Sequence, residues 1–227
     1  MKKFGSQSAI AALLSFNGGF VDTAGFLGLQ GLFLAHVTGN FVTLGAALVL
    51  GHHGIINKIL ALPEFILVIA LARLVGIALR ARKAPALRVL LAAEVVLLLA
   101  FFALAVTFGP FENSDSLFAL LTGFAGIAAM AVQNGLQRVH LGNLPPTTIM
   151  TGNTTQAVLD AVDLLTGQAV QTVETRARFF RVAASILYFA AGCAASALLY
   201  WLIGFWCLAL AVLVGATAAI MRSEAKD

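Results

Sequence analysis

Asp22 stands inside an apolar run that begins near Ser8 and ends near Leu29. A charged side chain at the centre of a lipid-embedded helix costs about 2.5–3.5 kcal/mol on insertion scales, so such a carboxylate faces the interior and has a role. It can carry a proton or cation, or it can accept hydrogen bonds from free backbone N–H groups. Thr23 follows it directly. Downstream, His36 precedes the tripeptide Thr38-Gly39-Asn40, and the same tripeptide returns as Thr151-Gly152-Asn153. The second copy also has a polar pair ahead of it, Gln133-Asn134. Thr38, Asn40, Thr151 and Asn153 supply donors and acceptors for a small solute, and Gly39 and Gly152 let backbone approach it. Gln133 occupies the place of Asp22 and cannot titrate, so the pattern holds one titrating site. The alternative is that the two motifs only cap one another and close the core.

Other ionisable residues have plainer readings. Arg73 and Glu94 fall on successive apolar segments and are expected to form an ion pair, although Arg73 could instead face an anionic substrate. Asp160 and Asp163 are expected to meet water or Arg176 and Arg178. His36 is expected to be packed or hydrogen-bonded rather than a proton relay, and His52-His53 reads as a wet loop. Cys193 and Cys207 lie in apolar runs as buried thiols, and no metal-ligand spacing is present. No metal or cofactor is expected.

The elements that position these residues are membrane helices. Hydrophobic residues make up 60% of the chain and charged residues 11%, with a mean hydropathy of +0.96. A soluble domain carries roughly 25% charged residues. Six apolar stretches approach the ~20 residues that cross a bilayer: about 8–29, 64–81, 88–108, 116–137, 179–201 and 203–221. Two shorter ones start at the tripeptides, about 38–51 and 151–168. If these two dip in and return on the same side, Lys2, Lys3, Arg80, Arg82, Lys83, Arg88, Arg138, Arg176, Arg178, Arg181, Arg222 and Lys226 share one side. Of the 14 Lys and Arg residues, Lys58 alone is then outside and Arg73 lies within a helix. The rule that cytoplasmic loops hold the Lys and Arg residues favours this arrangement. It also accounts for the net charge of +4 without nucleic acid.

The expected fold is therefore an all-α integral membrane protein. Six transmembrane helices and two re-entrant half-helices form two inverted three-helix repeats, residues 1–110 and 111–227, with both termini cytoplasmic. Pro145-Pro146 forces an extended approach to the second turn. Thr38 and Thr151 are suitable N-cap residues. The half-helix N-termini are expected to meet near mid-membrane, where unpaired N–H groups and helix dipoles favour an anion or carbonyl.

Gly19-Phe20-Val21-Asp22-Thr23, Phe33 through His36-Val37-Thr38-Gly39-Asn40, Val132-Gln133-Asn134 and Thr148-Ile149-Met150-Thr151-Gly152-Asn153 together resemble the YoaK-like family of bacterial multi-pass membrane proteins. The resemblance covers nearly the whole chain. That family is a domain of unknown function, so the resemblance implies a bacterial inner-membrane setting and no reaction.

Three functions compete. The leading expectation is a small-solute transporter or channel whose cargo is a small anion or polar organic solute, working in the lipid bilayer with room for a homo-oligomer. The second is a non-transporting sensor or assembly scaffold. An intramembrane enzyme is disfavoured, since Ser15, Ser185 and Ser196 lack the context of a nucleophile.

Overall fold

Long apolar segments leave the backbone no partner but itself, and the chain satisfies it with helices. The computed structural model describes residues 2–51 and 53–224. His52 and Lys226 lie outside them, as do the side chains of Lys2, Lys3 and Arg222. Eight α-helices follow in order: α1 Lys2–Gly28, α2 Asn40–Leu50, α3 Ile55–Ala81, α4 Ala86–Phe108, α5 Leu117–His140, α6 Met150–Thr166, α7 Thr172–Ile203 and α8 Leu208–Glu224. No strand occurs among the described residues. A 3-10 turn, Val37–Gly39, precedes α2, and another, Gly204–Cys207, joins α7 to α8.

Among the described residues, five stretches are long and apolar enough to cross a membrane: Gln7–Gly28, Ile55–Ala81, Ala86–Phe108, Leu117–His140 and Thr172–Met221. The last runs through both α7 and α8, which break at Gly204, whose positive φ (58°) suits glycine. The chain is a multi-pass helical membrane protein. α1 and α5 are the most buried of these stretches, and their interior polar side chains include Ser15, Asn17 and Asp22 on α1 and Thr122, Gln133 and Gln137 on α5. α3 and α7 turn most of their apolar surface outward. That sorting is expected when lipid is the solvent, because polar groups then face protein.

Helix directions follow from paired contacts. Ser15 meets Ser185 and Gly28 faces Tyr200, so α1 and α7 run parallel. Gln133 of α5 reaches the Leu14 carbonyl of α1, while Gly126 faces Leu34, which also packs against Gly25 near the far end of α1. α5 therefore runs against α1. α1 packs on α7, α8 and α5; α5 packs on α3, α4 and α1; α2 packs on α3, α6 on α7, and α4 on α8. Exchanging α1–α4 for α5–α8 maps these neighbours onto one another, with one exception: α3 also packs on α4, whereas α7 and α8 meet through the Gly204–Cys207 turn. The α1–α7 crossing is the closest. A Cβ at Gly19 would strike the backbone of Phe189, and one at Gly192 would strike the backbone of Phe16. Small residues let lipid-embedded helices approach this closely.

The segment between α1 and α3 is a hairpin. Gln30, at the end of α1, donates to the Glu112 carbonyl and accepts from Ser114 in the α4–α5 loop. The chain then turns back until Leu34–His36 lie beside Asp22. α2 returns it to the starting end, where Asp115 accepts from the backbone N–H groups of Gly54, Ile55 and Asn57. There Lys58 Nζ donates to the Gln30 carbonyl at 2.8 Å. The segment between α5 and α7 is a second hairpin at the other end. Residues 141–148 run back along α5 as far as Gln133. α6 then runs antiparallel to α7, with Asn153 opposite Ser185 and Asp160 opposite Arg178. Both short helices stop at a left-handed glycine, Gly51 (φ 69°) and Gly167 (φ 72°). A glycine there carries no Cβ penalty.

The inward legs of both hairpins enter the core. Leu32 and Leu34 are fully buried, packed with Phe20, Phe101, Ile127 and Met130. Leu141 and Leu144 are buried with Ile10, Leu14 and Leu136. Loops ordinarily run over the surface because their backbone needs water. Here the backbone polar groups of two buried loops must find protein partners.

Candidate functional site

The polar residues singled out in the sequence are those partners. In the first hairpin Asp22 Oδ1 accepts from Leu34 N at 2.8 Å, Ala35 N at 2.7 Å and His36 N at 3.4 Å. Asp22 Oδ2 pairs with His36 Nδ1 at 2.7 Å. Asn40 closes the loop on itself: Oδ1 accepts from Phe33 N and Nδ2 donates to Phe33 O, both at 2.8 Å. One carboxylate and one amide thus satisfy four consecutive N–H groups.

The second hairpin performs the same task with neutral groups. Asn153 Nδ2 donates to Pro146 O at 2.8 Å, the carbonyl seven residues earlier, as Phe33 is seven before Asn40. Pro146 has no N–H, so the acceptor half of the Asn40 bridge has nothing to bind here. Gln133 Nε2 donates to Thr147 Oγ1 and to Leu14 O. Thr148 Oγ1 donates to Asn134 Oδ1 at 2.8 Å. Gln137 Nε2 donates to the carbonyls of Leu144 and Pro145. Gln133-Asn134 thus holds Thr147-Thr148 where Asp22 holds Leu34-Ala35.

The two junctions differ in what lies beside them. A cavity of about 600 Å³ opens against the first. Asp22, Thr23, His36, Thr38 and Gly39 line it, with Phe26, Leu27, Phe33, Phe189 and Cys193 as its other walls. The His36 ring stands edge-on to Phe189 at 5.4 Å and to Phe33 at 6.3 Å. With Nδ1 on Asp22, the other ring nitrogen, Nε2, remains for a ligand. It is an acceptor when the ring is neutral and a donor when it is protonated. Thr151 and Gly152 do not line this cavity and are exposed on the outside of the bundle.

Several expectations need correction. Thr38 and Thr151 do not cap the short helices. The N-cap positions fall on Gly39 and Ile149, and neither makes a side-chain cap. Asp22 and the motif asparagines bond loop backbone ahead of the helices, at residues 33–36 and at Pro146, and not the first N–H groups of α2 and α6. Arg73 and Glu94 do not pair. Among the described residues the ion pairs are His36–Asp22 and Arg178–Asp160. α3 turns Arg73 outward, whereas Glu94 is 1% exposed. Both Glu94 oxygens, both polar atoms of the Asn17 side chain and Gln133 Oε1 lack a hydrogen-bond partner. The cavity at the first turn is lined by that turn and not by the second. Gly18 faces Thr147 and Thr148 while Asp22 holds the first loop, so the loops reach α1 four residues, or about 6 Å, apart.

Asp160 does meet Arg178, at 2.6 Å and through both carboxylate oxygens. The guanidinium holds the Asp160 carboxyl below the usual carboxylate range. The sequence reading missed Ser15–Ser185, which bond at 2.9 Å, and the cavity walls Phe189 and Cys193. Gly192, between those two, was the available signal, because it marks where α7 comes closest to α1. Among the described residues no group of three His, Cys, Asp or Glu side chains could hold a metal ion.

Against known proteins, residues 10–221 match the family described as "Protein of unknown function (DUF1275)". No curated protein and no solved structure matches the chain.

Proposed function

The chain belongs to the DUF1275 family, whose description assigns no activity, and from its geometry we propose that it is a membrane transporter or channel for a small anion or small polar organic solute. The observation that carries the reading is the 600 Å³ cavity at the first hairpin, where Asp22, Thr23, His36 and Thr38 form a polar patch within aromatic and aliphatic walls. A few convergent polar groups in a mostly apolar concavity are what a small-molecule site requires. His36 is the solute-facing group, and Asp22 fixes its ring.

The proposed frame is six crossings and two re-entrant hairpins in inverted repeats. Three features support it: the set of helix neighbours that survives exchange of the halves, the parallel α1 and α7, and the two hairpins entering from opposite ends. Breaking Thr172–Met221 at Gly204 gives the sixth crossing. The basic segments, including Arg80, Arg82, Lys83, Arg138 and Arg178, then share the end that holds the N-terminus. By the charge rule that end is cytoplasmic, and the setting is a bacterial inner membrane. Inverted repeats with broken helices are a recurrent transporter plan.

One observation favours a second reading. Asn40 and Asn153 are engaged by their own loops, as in a sensor or assembly scaffold whose motifs are structural junctions. Flux assays in proteoliposomes separate the two. A panel of small monovalent anions and uncharged polar solutes should include one whose uptake depends on the protein and is lost in His36→Ala. Folded protein that moves none of the panel would favour the scaffold.

A further inference from the structure

A second concavity, of about 330 Å³, lies between α3 and α5, away from the first hairpin. Arg73, Arg80 and Arg138 line it, and the rest of its wall is chiefly apolar, including Phe65, Ile69 and Leu90. No guanidinium of the three arginines forms an ion pair or hydrogen bond with the described residues, and no Asp or Glu lines the groove. Arg73 is eight residues before the end of α3, or about 12 Å inside it. An unpaired guanidinium at that depth is costly, and three cations around one groove repel one another. An anion entering the groove would relieve both penalties at once.

We propose that this groove binds an acidic phospholipid, with the phosphate held by Arg73, Arg80 and Arg138 and an acyl chain along the apolar wall. Guanidinium groups match phosphate geometry with paired N–H donors. The apolar wall selects a lipid over a free anion, because an inorganic ion would leave it uncovered. The groove sits at the end of the bundle that carries the basic loop Arg80–Arg88, so on the charge rule it faces the cytoplasmic leaflet. Basic pockets between helices on that side are suited to anionic head groups. Asn134, which also lines the groove, bonds Thr148 beside the second hairpin. A bound lipid would therefore touch that hairpin directly.

The test is native mass spectrometry of the full chain in detergent, with phosphatidylglycerol and phosphatidylcholine of identical acyl chains. The wild type should retain phosphatidylglycerol by a margin of about tenfold, and Arg73→Gln/Arg80→Gln/Arg138→Gln should abolish that margin. Should the triple variant fail to fold, Arg80→Gln/Arg138→Gln, altered only near the mouth, should still lose most of it. Inorganic phosphate should not displace the lipid. Equal retention of the two lipids by the wild type, or an unchanged margin in the folded variant, would overturn the site. Displacement by inorganic phosphate at comparable concentration would overturn the lipid assignment in favour of a free anion.

Discussion

The first and second hairpins solve one backbone problem with different chemistry. Each brings a buried loop back along its preceding helix, and each ties the motif asparagine to a carbonyl seven residues earlier. At the first, a carboxylate holds three backbone N–H groups and a histidine beside a cavity. At the second, amides and hydroxyls hold the loop, and Thr151 and Gly152 of the tripeptide face outward. The difference teaches that holding the hairpin does not require charge. Neutral groups do it at Gln133 and Asn134, so Asp22 and His36 have chemistry to spare for a solute. In the proposed function the first hairpin acts and the second supports.

Asp22→Ala against Gln133→Ala is the harshest way to break that comparison. Removing Asp22 strips acceptors from buried N–H groups and leaves His36 unpaired, at a cost of about 3 kcal/mol or more. Gln133→Ala removes neutral bonds, one of them to a hydroxyl that can rotate to another partner, and should cost about 1–2 kcal/mol. Thermal unfolding in one detergent would read both. Equal losses would mean that the charge contributes nothing special to the first junction. Asp22→Asn keeps an acceptor for Leu34 and Ala35 and should stay folded while flux falls.

The asparagines sharpen the comparison at intermediate size. Asn40→Ala breaks two hydrogen bonds of 2.8 Å and orphans a half-buried N–H. Asn153→Ala breaks one of that length, and Pro146 has no N–H to orphan. The expected losses are about 2 and about 1 kcal/mol. A reversed order would contradict the role given to Pro146.

Smaller still is Asp160–Arg178, which braces α6 against α7 in the second hairpin. Arg178 is half exposed, so Asp160→Asn should cost at most about 1 kcal/mol. Because the folded carboxyl titrates below its unfolded value near 3.9, the stabilisation is complete above that pH. It is lost as pH falls through the lower folded value. Wild type and Asp160→Asn should therefore converge in stability at low pH and differ at pH 7. The smallest effect belongs to Thr151→Ala, at an exposed position, which should change stability by less than about 0.5 kcal/mol and leave flux unchanged.

The all-helical, multi-pass class was legible because it rests on composition and on long apolar runs. Pro145-Pro146 did mark a non-helical approach, residues 141–149. What the sequence hid was rotation and depth. Within Thr-Gly-Asn, which side chain turns inward depends on the path of the loop, and it is the asparagine rather than the threonine. Arg73 and Glu94 lie on adjoining antiparallel helices, but small rotations of each separate an outward arginine from an inward carboxyl. Asp22 was identifiable as an interior residue, yet the three N–H groups it receives belong to apolar residues and a histidine whose types give no hint of the contact. The asymmetry between the halves was visible only as Asp22 against Gln133.

Cys193 offers the most direct test of the first hairpin as the solute site, because it lines the cavity while Cys207 is buried. In a Cys207→Ser background it is the single thiol, and its reaction with a small hydrophilic methanethiosulfonate reagent can be followed in proteoliposomes together with flux. The account predicts that Cys193 reacts, that the transported solute slows the reaction several-fold, and that modification stops flux. Complete modification of Cys193 with unchanged flux, at a rate indifferent to the solute, would contradict it.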